Sequence, residues 1–230
     1  MENIIDDINS YFAMETKIRS YIKKNQFDEL AKYLLFETHI VANDQTYRML
    51  EIELYVCNDK HKDIFTHCHK EQGNMLTWYF HQMSEKEHSY KGGTFKGLDI
   101  TCGGNGEGSE GNNKKNYGGI LIRSIMNETT NDVIEGPCNV VNELLKQVKC
   151  NSIRELVIDK FNNNLSCIEH SLLKVEEKHY DADDMYVAPR IGLSMKGYNT
   201  DEKQNYVDKN YRYIVFKDKV KKEKKKMVKL

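Results

Sequence analysis

No apolar run anywhere in the 230 residues persists for the ~20 positions that a membrane-crossing helix needs. The N-terminal stretch is mixed and acidic, without the basic, apolar and small-residue succession of a secretory signal. A soluble, nuclear or cytoplasmic protein with no membrane partner is therefore expected. The six cysteines (Cys57, Cys68, Cys102, Cys138, Cys150, Cys167) form no CxxC pair, and a chain of this size needs no covalent staples. They are expected as reduced thiols. Internal repeats are absent, and no shift in composition precedes the C-terminal tail, so one domain is expected over 1–216. With 30% charged and 39% apolar residues, the chain is long enough to bury a real core.

Net charge is also scarce, −1 overall, but unevenly spread. From Lys217 to Leu230 eight lysines face Asp218 and Glu223, a local +6 that leaves −7 on 1–216. The segment 217–230 is expected as a basic, disordered tail able to follow a phosphate backbone.

What is present centres on LEIELYVCNDKHKDIFTH, Leu50 to His67. Its first half alternates, with Leu50, Ile52, Leu54 and Val56 on one face and Glu51, Glu53, Tyr55 and Cys57 on the other, the period of a strand. One face anchors and the other presents carboxylates and a phenol, a sound basis for a general base beside flat rings. An edge strand with a solvated polar face is the plainer alternative. His67, Cys68 and His69, with Cys57 and His61 upstream, are the nearest approach to a metal cluster. Neighbours on an extended chain point opposite ways, so His67 and His69 share a face that Cys68 does not. No metal and no cofactor are assigned.

Elsewhere, helical spacing predicts two helices within 1–36, broken near Lys24-Asn25. Strands are expected over 38–42 and 47–56 around the turn-prone Asn43-Asp44, then over 76–82, 94–102, 119–125, 188–195 and 211–216. Gly106, Gly108 and Gly111 spell a formal GxGxxG. Polar Asn112 to Asn116 follow instead of a helix, so the dinucleotide motif is rejected and 103–119 is expected as a mobile insertion. In GILIRSI (119–125) Arg123 is a misfit that must be paired, with Glu51 or Glu53 as partner. Pro137 opens a helix over 138–149, and Ser152 with Glu155 makes a capping box for another reaching Lys160. The order of elements predicts an α+β domain on a curved, mostly antiparallel sheet flanked by helices.

Several pieces, in this order, resemble the alkyladenine (methylpurine) DNA glycosylase family: FDELAKYLLF (27–36), RMLEIELYVCN with Glu-x-Tyr, GGILIRSI with Arg123, GPCNVVNELL from Gly136, PRIGLS and YRYIVF. The resemblance implies a monomer that binds double-stranded DNA, flips out a damaged purine and hydrolyses its N-glycosidic bond without cutting the strand. Glu53 would be the general base and Arg123 would orient it or its water, while Tyr55 and His67 would hold the base and Glu51 would support Glu53. The family's aromatic wedge precedes a glycine that corresponds to Gly97; here Lys96 stands there, with Phe95 and Tyr90 as the other candidates for insertion. The alternatives are a non-catalytic base-binding module of the same fold and a metal-dependent hydrolase using His67 and His69.

Overall fold

The structure, a computed structural model, describes residues 2–84, 86–105, 115–181, 183–193, 206–221 and 226–230. Two helices open it, α1 (Glu2–Lys24) and α2 (Phe27–Phe36). They break where expected, at Asn25, whose φ of +53° ends the first helix. On α2 the buried Phe27, Leu30, Ala31, Leu34 and Leu35 follow helical spacing and cover one face of the sheet.

The strands are β1 (Thr38–Ala42), β2 (Gln45–Cys57), β3 (Met75–Phe80), β4 (Leu98–Cys102), β5 (Gly104–Asn105), β6 (Lys115–Asn127) and β7 (Val133–Glu135). After α3 (Pro137–Gln147) and a short helical turn α4 (Ile153–Glu155) come β8 (Leu173–Glu177), β9 (Met185–Ala188), β10 (Arg212–Val215) and β11 (Val228–Lys229). The sheet runs β11-β9-β10-β2-β6-β4-β3, with β1 also on β2, β8 on β1, and β5 and β7 on β6. Every described pairing is antiparallel. The expected α+β architecture is what is found. β2 lies between β10 and β6 rather than at an edge, so its polar face is covered: Glu51 and Glu53 are 2% and 0% exposed.

Two irregularities shape that centre. Pairing of β2 with β6 runs Met49↔Ile125, Glu51↔Ser124, Ile52↔Ile122. Leu50 is therefore an extra residue on β2 and Arg123 an extra residue on β6. The two bulges compensate, so the register beyond them is restored, and Arg123 is swung out of the ladder towards the carboxylates.

Several boundaries differ from expectation for physical reasons. Gly93–Phe95 form a 3-10 turn, and the strand begins only at Leu98. The strand expected over 188–195 instead lies before Pro189, over Met185–Ala188, because proline cannot continue a ladder. Ser152 Oγ does accept from Glu155 N at 3.1 Å, but Glu155 reaches back to Asn151 N at 2.8 Å, one residue short of a capping box. Beyond Glu155 the helix widens to a π turn over Leu156–Lys160. β8 arises in a stretch whose polar sequence gave no strand pattern. The tail is held where it is described: Val220 is fully buried, Lys221 N donates to Glu135 Oε2, and Val228–Lys229 pair with β9. The lysine run conceals these apolar anchors. The GxGxxG glycines, and most of the insertion expected around them, lie outside the described residues. Among the described residues no helix is long and apolar enough to cross a membrane.

Candidate active site

Antiparallel register sets one residue from each of four strands in a row: Glu53↔Leu121 on β2 and β6, Asp99↔Leu121 on β4, and Tyr79↔Asp99 on β3. Directly opposed residues share a face, and so do residues two apart along a strand, which adds Tyr55, Gly119 and His81 to the same side. The opposite side carries Leu54, Ile120, Ile100 and Trp78, all 0–1% exposed. One face is thus the hydrophobic core and the other the site.

A cavity of about 220 Å³ opens on the site face, lined by Tyr55, Phe65, His67, Gln72, His81, Asp99, Leu121 and Leu193. It is smaller than the ~300–1,000 Å³ of pockets that enclose drug-sized ligands and is in scale with one flat ring system. Tyr55 and His67, predicted as base-holding residues, both line it. Glu53 and Arg123 stand immediately behind Tyr55: its hydroxyl donates to Glu53 Oε2 at 2.8 Å, and Arg123 Nη1 lies 3.3 Å from the same oxygen. Glu53 Oε1 accepts from Ile191 N at 2.7 Å. Both oxygens are engaged, and the carboxylate does not itself line the cavity.

Electrostatics follow from that enclosure. Burial raises the Glu53 carboxyl above the ordinary range, against the lowering effects of Arg123, the Ile191 amide and the Tyr55 hydroxyl. Burial alone would lower Arg123, but the carboxylates of Glu53 and Glu51 outweigh it and hold the guanidinium firmly charged. Burial, and then the neighbouring Glu53, push the Tyr55 phenol well up, so it acts as a neutral donor. Glu51 accepts from Arg123 Nε at 3.2 Å, Arg212 Nε at 2.5 Å and Ser124 Oγ at 2.6 Å. Arg123 therefore pairs with both carboxylates named for it, and Glu51 is linked to Glu53 through that shared guanidinium. Under the Tyr55 ring lies Arg190, its guanidinium 4.3 Å from the ring centroid. It is locked in a two-pronged pair with Asp63 and a 2.8 Å bond to Leu54 O.

His67 Nδ1 lies 3.1 Å from Tyr79 Oη, and the His67 ring meets the His81 ring edge-on at 4.8 Å. Burial, and then His81, push His67 down to about 4, leaving it neutral at physiological pH. His69 turns away from the cavity to stack on Tyr79 and pair with Glu71. Among the described residues no group of three or more His, Cys, Asp or Glu is placed to hold a metal ion. His61 is occupied by Val56 O and Tyr211 Oη, both at 2.8 Å.

Of the insertion candidates, Phe95 is 76% exposed. Lys96 is tied to Asn142 Oδ1 at 2.7 Å, and Tyr90 is half-buried against the Phe80 ring. Phe95 alone of the three presents a free apolar side chain.

Sequence reasoning missed Asp99, His81, Gln72, Phe65, Arg190 and Arg212. Asp99 carried a usable signal: in LDITC it is a charge inside an apolar strand, the anomaly that singled out Arg123. Arg212 carried the same signal in YRYIVF, while the others sit in stretches whose polarity looked ordinary.

No protein-family profile matches the chain. Over 213 residues, 89% of this chain and 93% of the other, it is 38% identical to a protein of Acanthamoeba polyphaga mimivirus known as uncharacterized protein L759. On that identity and coverage the chain belongs to the same family as the mimivirus uncharacterized protein L759.

Proposed function

We propose that the chain is a monofunctional DNA glycosylase. It would hold a flipped-out alkylated or deaminated purine in the cavity and hydrolyse its N-glycosidic bond without cleaving the strand. The observation that carries this reading is the convergence of Tyr55 and His67 on one ring-sized cavity, with Glu53 hydrogen-bonded to Tyr55 and paired with Arg123. Tyr55, Phe65 and His67 supply flat surfaces for the base. A carboxylate made more basic by burial suits proton abstraction from water. Because Glu53 sits behind Tyr55, the proton travels through the phenol. As the water attacks the anomeric carbon, its proton passes to the Tyr55 oxygen and the Tyr55 proton passes to Glu53. The departing base takes the electron pair of the broken C–N bond. Arg123 fixes Glu53 for this step, and Phe95 fills the gap left in the base stack.

A second reading, a base-binding module without catalysis, is favoured by the engagement of both Glu53 oxygens and by the acidic body. Duplexes carrying alkylated adenine or hypoxanthine, incubated with protein and then treated with alkali, separate the two. Strand breaks that vanish in Glu53→Gln support the glycosylase. Lesion binding without breaks, lost in Tyr55→Ala and kept in Glu53→Gln, refutes it in favour of the module.

A further inference from the structure

The charged acceptor inside the cavity is Asp99, a residue to which the glycosylase reading gives no role. Its carboxylate is 2% exposed at the centre of the four-strand row. Oδ1 accepts from His81 Nε2 at 2.8 Å and Oδ2 from Gln72 Nε2 at 3.1 Å. Two glycines make room for this arrangement. A Cβ on Gly119 would lie 2.3 Å from Asp99 Oδ2, and one on Gly97 would lie 2.4 Å from His81 Nδ1. A carboxylate oxygen has about two acceptor positions, and each of Asp99's carries one described bond, so acceptor capacity remains on a residue that lines the cavity. Of the other polar groups lining the cavity, the Tyr55 hydroxyl is bonded to Glu53, His67 Nδ1 to Tyr79, and Gln72 Oε1 to His69 N.

We propose that Asp99, steadied by His81 and Gln72, selects what the cavity binds by accepting a hydrogen bond from an exocyclic amino group on the bound ring. The preferred ligand edge is that of a 6-aminopurine. This rests on the reading of the cavity as a nucleobase pocket and adds its specificity. A hydrogen bond to a charged acceptor corresponds to about a tenfold to hundredfold preference over a ring of similar shape that lacks the donor.

The test is titration of the full chain with 9-methyladenine and 9-methylpurine, followed by ligand-observed NMR, with wild type, Asp99→Asn and Asp99→Glu compared and thermal unfolding monitored in each. Wild type is expected to prefer 9-methyladenine by tenfold or more. That preference should fall to about threefold or less in Asp99→Asn, where the acceptor is neutral and its bond correspondingly weaker. It should also fall in Asp99→Glu, where the carboxylate is displaced. Equal binding of both rings to wild type overturns the role of Asp99 and leaves the pocket standing, as does a preference unchanged in both Asp99 variants. Binding of neither ring, together with no release of any lesion base, overturns the nucleobase pocket itself.

Discussion

Tyr55→Phe removes a single hydroxyl from the junction between the cavity and the buried carboxylates. The ring remains, with Arg190 beneath it at 4.3 Å, and Glu53 keeps the Ile191 amide at 2.7 Å and Arg123 at 3.3 Å. What is lost is one hydrogen bond to a charged, fully buried acceptor, about 1.5–3 kcal/mol. For a domain of this size that lowers Tm by about 3–12 °C. The loss should depend on pH. Glu53 is raised in the fold, so the folded protein binds its proton more tightly than the unfolded chain does, and stability falls as pH rises from the ordinary carboxylate range through the folded value. The Tyr55 bond opposes that fall by favouring the ionised form. The gap between wild type and variant is therefore widest above the Glu53 titration and narrows below it, where a neutral bond of about 1 kcal/mol is all that disappears. Urea unfolding at a series of pH values measures both. A penalty below about 0.5 kcal/mol at neutral pH, or one that does not change with pH, would refute the hydroxyl–carboxylate bond as the link that holds Glu53. On the proposed glycosylase reading, base release should also fall sharply in this variant, since the proton route through the phenol would be gone.

Two further substitutions probe neighbouring parts of the fold. Gly119→Ala drives a methyl to within 2.6 Å of both Asp99 Oδ2 and Gln72 Nε2, groups fixed by their mutual bond. A destabilisation of about 1–3 kcal/mol with loss of ring binding is expected, and full stability with unchanged binding would contradict the packing described. At the far side of the sheet, burial pushes Glu128 up, but bonds from Tyr180, Lys178 and His39 outweigh it and bring the carboxyl to about 2. Its contribution is complete above the unfolded value near ~4.3 and is lost as pH falls towards 2. Glu128→Gln should thus cost about 1–2 kcal/mol at pH 7 and progressively less at pH 4 and 3 in urea titrations; a constant cost contradicts the shift.

The sequence revealed the parts of the fold whose physics is local. The two helices, the alternation of β2, the turn at Asn43 and the proline-led α3 all follow from spacing or backbone preference within a few residues. β8 did not, because its pairing with β1 is decided by a partner more than a hundred residues away. Alternation also identified which β2 side chains share a face, and Arg123 betrayed itself as a charge in an apolar run. It could not reveal that β2 is interior, which turns Glu53 from an exposed carboxylate into an enclosed one hydrogen-bonded to Tyr55. Nor could it place Asp99 beside His81, since their meeting depends on the β3–β4 register and on the room left by Gly97 and Gly119.

The cross-strand row has a consequence for how occupancy is felt. Because β2, β6, β4 and β3 each supply a member, no fragment of the chain possesses the cavity, and it exists only after segments nearly seventy residues apart have zipped together. A ring bound there recognises the native sheet and nothing less. Its binding energy should therefore appear as protection of the central strands against hydrogen exchange and as a concentration-dependent rise in Tm, rather than as the quieting of a single loop.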